Sequence, residues 1–166
     1  MSPDPAGARR FAVALVGLAL AALAIRVAFT LTVDPEVPEV GDAMAYHHLA
    51  NHLADGEGYV RPFDLLLFDE VRPTAEYPPL FPAVISVASL VGVDTVTGHR
   101  VAACLIGAAA VAMIGLLGRR VTGSAVVGLV AAGLAAVYPM LFLMDATLMP
   151  EGLFTLLVAA TLLAAY

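Results

Sequence analysis

Residues 9–33 read RRFAVALVGLALAALAIRVAFTLTV, and this stretch decides the fold class. From Phe11 to Val33 the only charged residue is Arg26, and a helix of this length spans about 34 Å, enough to cross a hydrocarbon core of roughly 30 Å. The two arginines before it place the N-terminus in the cytoplasm by the positive-inside rule. The alternative is a cleaved signal peptide, whose apolar segment is usually only about 7–15 residues long. We therefore predict a signal anchor that remains as the first membrane span.

The composition of the whole chain agrees with a membrane protein. Of its 166 residues, 61% are hydrophobic and 13% are charged, whereas soluble domains carry about 25% charged residues. Lys and Arg together number 8 against 14 Asp and Glu, which excludes a basic surface for nucleic acid. Cys104 is the single cysteine, so no disulfide can form within the chain. The predicted fold is an all-α, polytopic membrane bundle.

Further apolar stretches predict about four spans in all: 11–33, 99–118, 124–143 and 150–166. Ser124 is expected to cap the third span and Pro139 to kink its outer end. The last stretch is still apolar at Tyr166 and is about 22 Å long as a helix, short of a full crossing. We therefore expect residues 1–166 to be the N-terminal part of one larger transmembrane domain, inactive alone.

The stretch 80–92 is apolar but only about 20 Å long as a helix, too short to cross a bilayer. If it did cross, Arg119 and Arg120 would lie outside, against the positive-inside rule. We therefore predict an interfacial or re-entrant helix within an outer loop that comprises residues 34–98.

The outer loop is acidic, because residues 34–79 hold ten of the 14 carboxylates. Residues 42–54 are predicted to form an amphipathic helix whose apolar side chains lie on an apolar surface, plausibly that of the membrane. Asp42 begins this helix and has two possible roles. It can cap the helix N-terminus, or its ionised carboxylate can act as a general base at the membrane–water boundary.

Two further expectations concern single residues. Arg26 lies about 10 Å below the outer end of the first span, where an unpaired charge is costly, so we expect it to pair with an outer acid such as Asp145. Tyr46, Tyr59 and Tyr77 are expected to be interfacial anchors.

Several short motifs, taken in order, resemble the GT-C membrane glycosyltransferases. The resemblance is closest to the protein-O-mannosyltransferase and lipid A aminoarabinose-transferase group, of the glycosyltransferase family 39 type. The motifs are GDAMAY at 41–46, DGEGY at 55–59, TAEYPPLFP at 74–82, HR at 99–100, RR at 119–120 and PEGLFT at 150–155.

This resemblance implies a transferase that uses a polyprenyl-phosphate-linked sugar and an acceptor hydroxyl of a glycan, protein or lipid. It implies catalysis at the extracytoplasmic face, with Asp42 as the general base and Glu151 as a second catalytic acid. Glu76 falls where some relatives bind a divalent metal ion, the one cofactor expected. Ala43 departs from the pattern, because many relatives carry a second acid there.

Arg100 has two possible roles, contact with the donor phosphate or simple snorkelling to lipid headgroups. The expected location is the plasma membrane, with a cytoplasmic N-terminus and no nucleic-acid partner. Two other function classes are considered, a membrane transporter and a non-catalytic membrane scaffold. A transporter would be marked by charges or broken helices within its spans, to which only Arg26 and Pro139 point.

Overall fold

The computed structural model describes residues 5–33, 37 and 39–166, so part of the predicted acidic loop, residues 34–36 and 38, lies outside the described residues. The described chain is helical, as predicted. In order, the helices are α1 (Pro5–Thr32), α2 (Asp42–Ala54), α3 (Pro62–Phe68), α4 (Leu80–Leu90), α5 (Val96–Thr122), α6 (Ala125–Val137), α7 (Pro139–Ala146) and α8 (Glu151–Ala165).

Within the part of the chain that the structure describes, two helices, α1 and α5, are long and apolar enough to cross a membrane. The pair α6 and α7 passes the same test together, but is bent by 52° between its halves. Pro139 explains this break, because the residue before a proline avoids the helical region, and Tyr138 is indeed extended with ψ 115°. The predicted fourth span corresponds to α8, which at 15 residues is shorter than a span.

Helix α5 is the centre of the bundle and contacts α1, α6, α7 and α8. Its start is capped by Thr95, whose hydroxyl accepts a hydrogen bond from the Gly98 amide. Ser124 caps α6 in the same way, as predicted. Apolar side chains of α1, α5 and α6 form the first core cluster: Phe11, Leu15, Ala22, Val111, Ala132, Ala135 and Ala136.

A second core cluster joins the outer loop to the bundle. It holds Ala43, Tyr46, Ala50, Phe81, Ile85, Ala103, Leu148 and Leu153. Within it α2 lies along α4, and Ala45 and Leu49 are fully buried. The apolar face of α2 is therefore covered by protein, which corrects the expectation that it lies on the membrane surface.

Helix α4 confirms the prediction of a short helix, since its 11 residues cannot cross a bilayer. Between α2 and α4 the chain forms α3, which the sequence analysis did not predict. An isolated antiparallel bridge between Val60 and Pro73 closes the segment around α3.

Candidate active site

Asp42 is the first residue of α2 and its side chain is exposed. Gly41 takes the N-cap position with φ 145°, and no side chain caps this helix. Asp42 is therefore not the N-cap of α2, and among the described residues its carboxylate has no hydrogen-bond partner.

Tyr46 lies one turn after Asp42 and is buried, which corrects the expectation of an interfacial anchor. Its ring makes edge-to-face contacts with Tyr77, at 5.5 Å between centroids, and with Phe81, at 5.2 Å. Burial raises the pKa of Tyr46, and the charges of Asp42 and Glu151 raise that pKa further. Both predicted catalytic carboxylates therefore lie close enough to Tyr46 to raise the pKa of its phenol.

Glu76 directly precedes Tyr77 of this aromatic cluster and is exposed. Burial raises the pKa of Tyr77, followed by the charges of Glu76 and Asp42. The hydroxyl of Tyr59 donates to the carbonyl of Tyr77 at 2.8 Å, which fixes the loop that carries Glu76. The structure thus brings three of the predicted site residues, Asp42, Glu76 and Glu151, around one aromatic cluster.

An apolar groove of about 350 Å³ lies between the starts of α4 and α8. Glu151, the first residue of α8, is exposed at this groove. The other lining residues are Pro78, Leu80, Phe81, Pro150, Leu153, Phe154 and Leu157. A negatively charged group thus stands at the edge of a surface suited to hydrocarbon.

Arg100 is buried at the start of α5 and 3% exposed. Its Nε donates to the carbonyl of Ala146 at 2.6 Å and its Nη2 to the carbonyl of Thr30 at 3.4 Å. The side chain therefore ties the ends of α1 and α7 to α5, and the structure does not show it snorkelling. Its contact with a donor phosphate stays a prediction.

The described residues do not form a metal-ligand set around Glu76. Within residues 5–33, 37 and 39–166, no three His, Cys, Asp or Glu side chains are grouped so as to hold a metal ion. A single carboxylate from Glu76 is only part of the six or more oxygen ligands that a hard divalent cation takes. A metal role for Glu76 stays a prediction, and we derive no chemical step from it.

The predicted pairing of Arg26 is confirmed. Its Nε donates to Asp145 Oδ2 at 2.8 Å, and both side chains are buried. The same guanidinium donates to the carbonyls of Ala22 and Ala136. A Cβ added at Gly107 or at Gly152 would collide with the Asp145 carboxylate, so these two glycines give α5 and α8 their close approach to the ion pair.

Comparison with known proteins agrees with the architecture. Residues 76–166, more than half of the chain, match the family described as dolichyl-phosphate-mannose-protein mannosyltransferase. The match includes Glu76, Arg100 and Glu151 and begins after Asp42. No curated protein and no solved structure matches the chain. With its long apolar helices, the protein is an integral membrane protein, and the chain belongs to the dolichyl-phosphate-mannose-protein mannosyltransferase family of GT-C membrane glycosyltransferases.

Proposed function

We propose that the protein transfers a sugar from a polyprenyl-phosphate donor to an acceptor hydroxyl, at the extracytoplasmic face of the plasma membrane. The observation that carries this proposal is the arrangement of Asp42 and Glu151. Both are exposed carboxylates at helix starts, and both raise the pKa of Tyr46 between them. Glu151 also lies at the apolar groove between α4 and α8. A polyprenyl donor needs both a surface for hydrocarbon and a polar site for the sugar beside it.

In this proposal Asp42 is the general base. Its carboxylate takes the proton of the acceptor hydroxyl as the oxygen attacks the anomeric carbon, and the bond from that carbon to the donor phosphate breaks. The phosphate leaves as a stable anion, so the site has more need of a base than of an acid. The exposure of Asp42 supports this role, because an acceptor must reach the carboxylate.

The remaining site residues have supporting roles in the proposal. Glu151 accepts hydrogen bonds from the sugar or the acceptor at the edge of the groove. Arg100 supplies positive charge beneath the departing phosphate, where a fixed cation stabilises developing negative charge. The orientation follows from Arg9, Arg10, Arg119 and Arg120, which the positive-inside rule assigns to the cytoplasm.

The transporter alternative keeps only one of the two features that pointed to it. Arg26 is paired with Asp145 inside the bundle, and Pro139 begins α7 at the bend of a broken span. The ion pair gives Arg26 a packing role, so only the broken span still points to a transporter.

The substitution Asp42→Asn tests the proposed function. Asparagine keeps the size and polarity of the side chain and removes the base, so transfer from a polyprenyl-phosphate sugar should fall by about 10²–10⁴-fold. Because Asp42 makes no capping bond, the protein should still insert and fold. The matched control is Asp55→Asn at the other end of α2, which should transfer almost normally. Near-normal transfer by correctly inserted Asp42→Asn protein would show that the base lies elsewhere.

A further inference from the structure

A chain of polar side chains connects the three helices α2, α4 and α5. His47 on α2 and His99 on α5 face each other through their Nδ1 atoms at 3.0 Å. His99 Nε2 lies 2.9 Å from the hydroxyl of Ser89 on α4. That hydroxyl bonds to Asn51 Oδ1 at 2.8 Å, and Asn51 Nδ2 donates to the backbone carbonyl of Asp94 at 3.0 Å.

The carbonyl of Asp94 sets the direction of every bond in this chain. A carbonyl only accepts, so the amide nitrogen of Asn51 must face it and the amide oxygen must face Ser89. Ser89 gives its single proton to that oxygen and must therefore accept from Nε2–H of His99. Neutral His99 then has only a lone pair at Nδ1, so His47 must donate through Nδ1–H. Both histidine tautomers are thereby assigned, and the second ring nitrogen of His47 stays outside the chain.

We propose that His47 and His99 are positioning residues for Asp42, because this one-way chain fixes α2 against α4 and α5. The proposal rests on the proposed role of Asp42, which is the first residue of the same helix. His47 lies one residue after Tyr46, whose pKa is raised by both Asp42 and Glu151. A shift of α2 would therefore move the carboxylate relative to Glu151 and the groove.

The two imidazoles respond differently to acid. A proton added at Nε2 of His47 leaves the chain intact, because Nδ1–H still donates to His99. A proton added at Nδ1 of His99 places two N–H groups opposite each other and breaks the link between α2 and α5. His99 is fully buried, so water does not replace that lost bond, although the ring also lies within hydrogen-bonding reach of the Val93 backbone.

The surroundings of the pair oppose a positive charge. Burial lowers the pKa of His47 to about 4, with His99 and His48 as the next causes. Helix α4 has no ionisable side chain, and the charge that favours protonation is Asp94 before α5. His52 on α2 is paired with Glu57, while Asp64 on α3 lies near Arg61 and Arg72. The neutral, ordered chain is thus the state expected at pH 7.

Nitrogen-15 NMR of histidine-labelled protein in lipid nanodiscs tests the assignment directly. At pH 7.5 we expect His47 to carry its proton on Nδ1 and His99 on Nε2. Each signal is identified by its loss when that histidine alone is replaced. His48, which makes no bond in the chain, provides the comparison within the same helix. A proton on Nε2 of both His47 and His99 would overturn the proposal, because no bond could then join them.

A turnover experiment tests positioning. His47→Leu removes the donor, and a displacement of about 1 Å is enough to lower kcat by about 10²-fold. His47→Asn keeps an N–H at the Nδ1 position and should restore most of kcat, while His48→Asn should change little. The positioning role would be overturned if inserted and folded His47→Leu protein had the kcat of the unsubstituted enzyme. It would also be overturned if His47→Leu and His47→Asn lost kcat equally. Failure of the proposed function is distinguishable from failure of this proposal. If Asp42 is not the base, Asp42→Asn retains transfer while the histidine tautomers stay as assigned.

Discussion

Asp145 is the residue on which four helices depend. Its carboxylate bonds to Arg26 of α1, and the backbones of Gly107 in α5 and Gly152 in α8 close around it. The pair was predictable from the sequence because Arg26 is a lone charge within an apolar span and Asp145 lies near the outer end of another. The role of the two glycines was not predictable, because it depends on how closely three separate helices approach.

We expect Gly107→Ala to destabilise the protein by about 1–3 kcal/mol, because the added methyl group would collide with the Asp145 carboxylate in a packed interior. The matched control is Gly133→Ala in α6, where a Cβ meets nothing within 4 Å. Alanine favours a helix over glycine by about 1 kcal/mol, so this control should be neutral or stabilising. Thermal unfolding in detergent measures both, and equal stability of the two variants would contradict the packing described here.

The ion pair itself gives a second expectation. Arg26→Met leaves Asp145 buried without its partner and should cost about 3–5 kcal/mol of the free energy of unfolding. The double variant Arg26→Met/Asp145→Leu removes both charges and should regain most of that loss. If the double variant were as unstable as the single one, the pair would have a role beyond mutual neutralisation.

At the scale of elements, helix ends were predictable where local signals set them. The bounds of α2 agree with prediction because Gly41 precedes the helix and Gly56 follows it, both with positive φ. The surface that α2 covers was not predictable, since an amphipathic pattern shows that a face is buried but not what buries it. Helix α3 was missed for a related reason: its seven residues are too few to show a helical period.

The burial of His47 on α2 should make the stability of the protein depend on pH. His47 has a pKa of about 4 in the fold and an ordinary value near 6.5 when unfolded, so between these values only the unfolded chain takes the proton. Its contribution to stability is full above about pH 6.5 and is lost as the pH falls towards 4. His47→Asn should flatten this part of the pH–stability curve measured by thermal unfolding. An unchanged slope in that variant would assign the acid sensitivity to other groups.

At the scale of the whole molecule, the chain places four of its eight arginines at one end of the bundle. The guanidinium of Arg119 at the end of α5 lies 4.4 Å from the ring centre of Phe11 in the first half of α1. This agrees with two spans of opposite direction, so that Arg9, Arg10, Arg119 and Arg120 share one side. The fold class and this grouping were predictable because hydropathy and charge act over the full length of a span. The family was predictable from the order of the short motifs that it resembles.

The predicted sidedness can be measured with introduced cysteines. The native Cys104 is buried and should not react. A cysteine at Glu57, beyond the end of α2, should be labelled by an impermeant reagent from outside intact cells, whereas one at Thr122 should not. Labelling at both positions would contradict the orientation, because α5 would then not carry the chain from the outer face to the cytoplasm.

The pairing of Arg26 also has a consequence for membrane insertion during synthesis, because its partner is made much later. Asp145 follows Arg26 by 119 residues, and ribosomes add about 5–20 residues per second, so roughly 6–24 s separate the two side chains. During that interval the first span holds a bare cation, which costs about 2.5–3.5 kcal/mol at the centre of an inserting helix. The nascent chain therefore depends on the translocon, on lipid headgroups or on water to shelter α1 until α7 arrives. Once Asp145 pairs with Arg26, the first helix no longer needs those other partners for its charge.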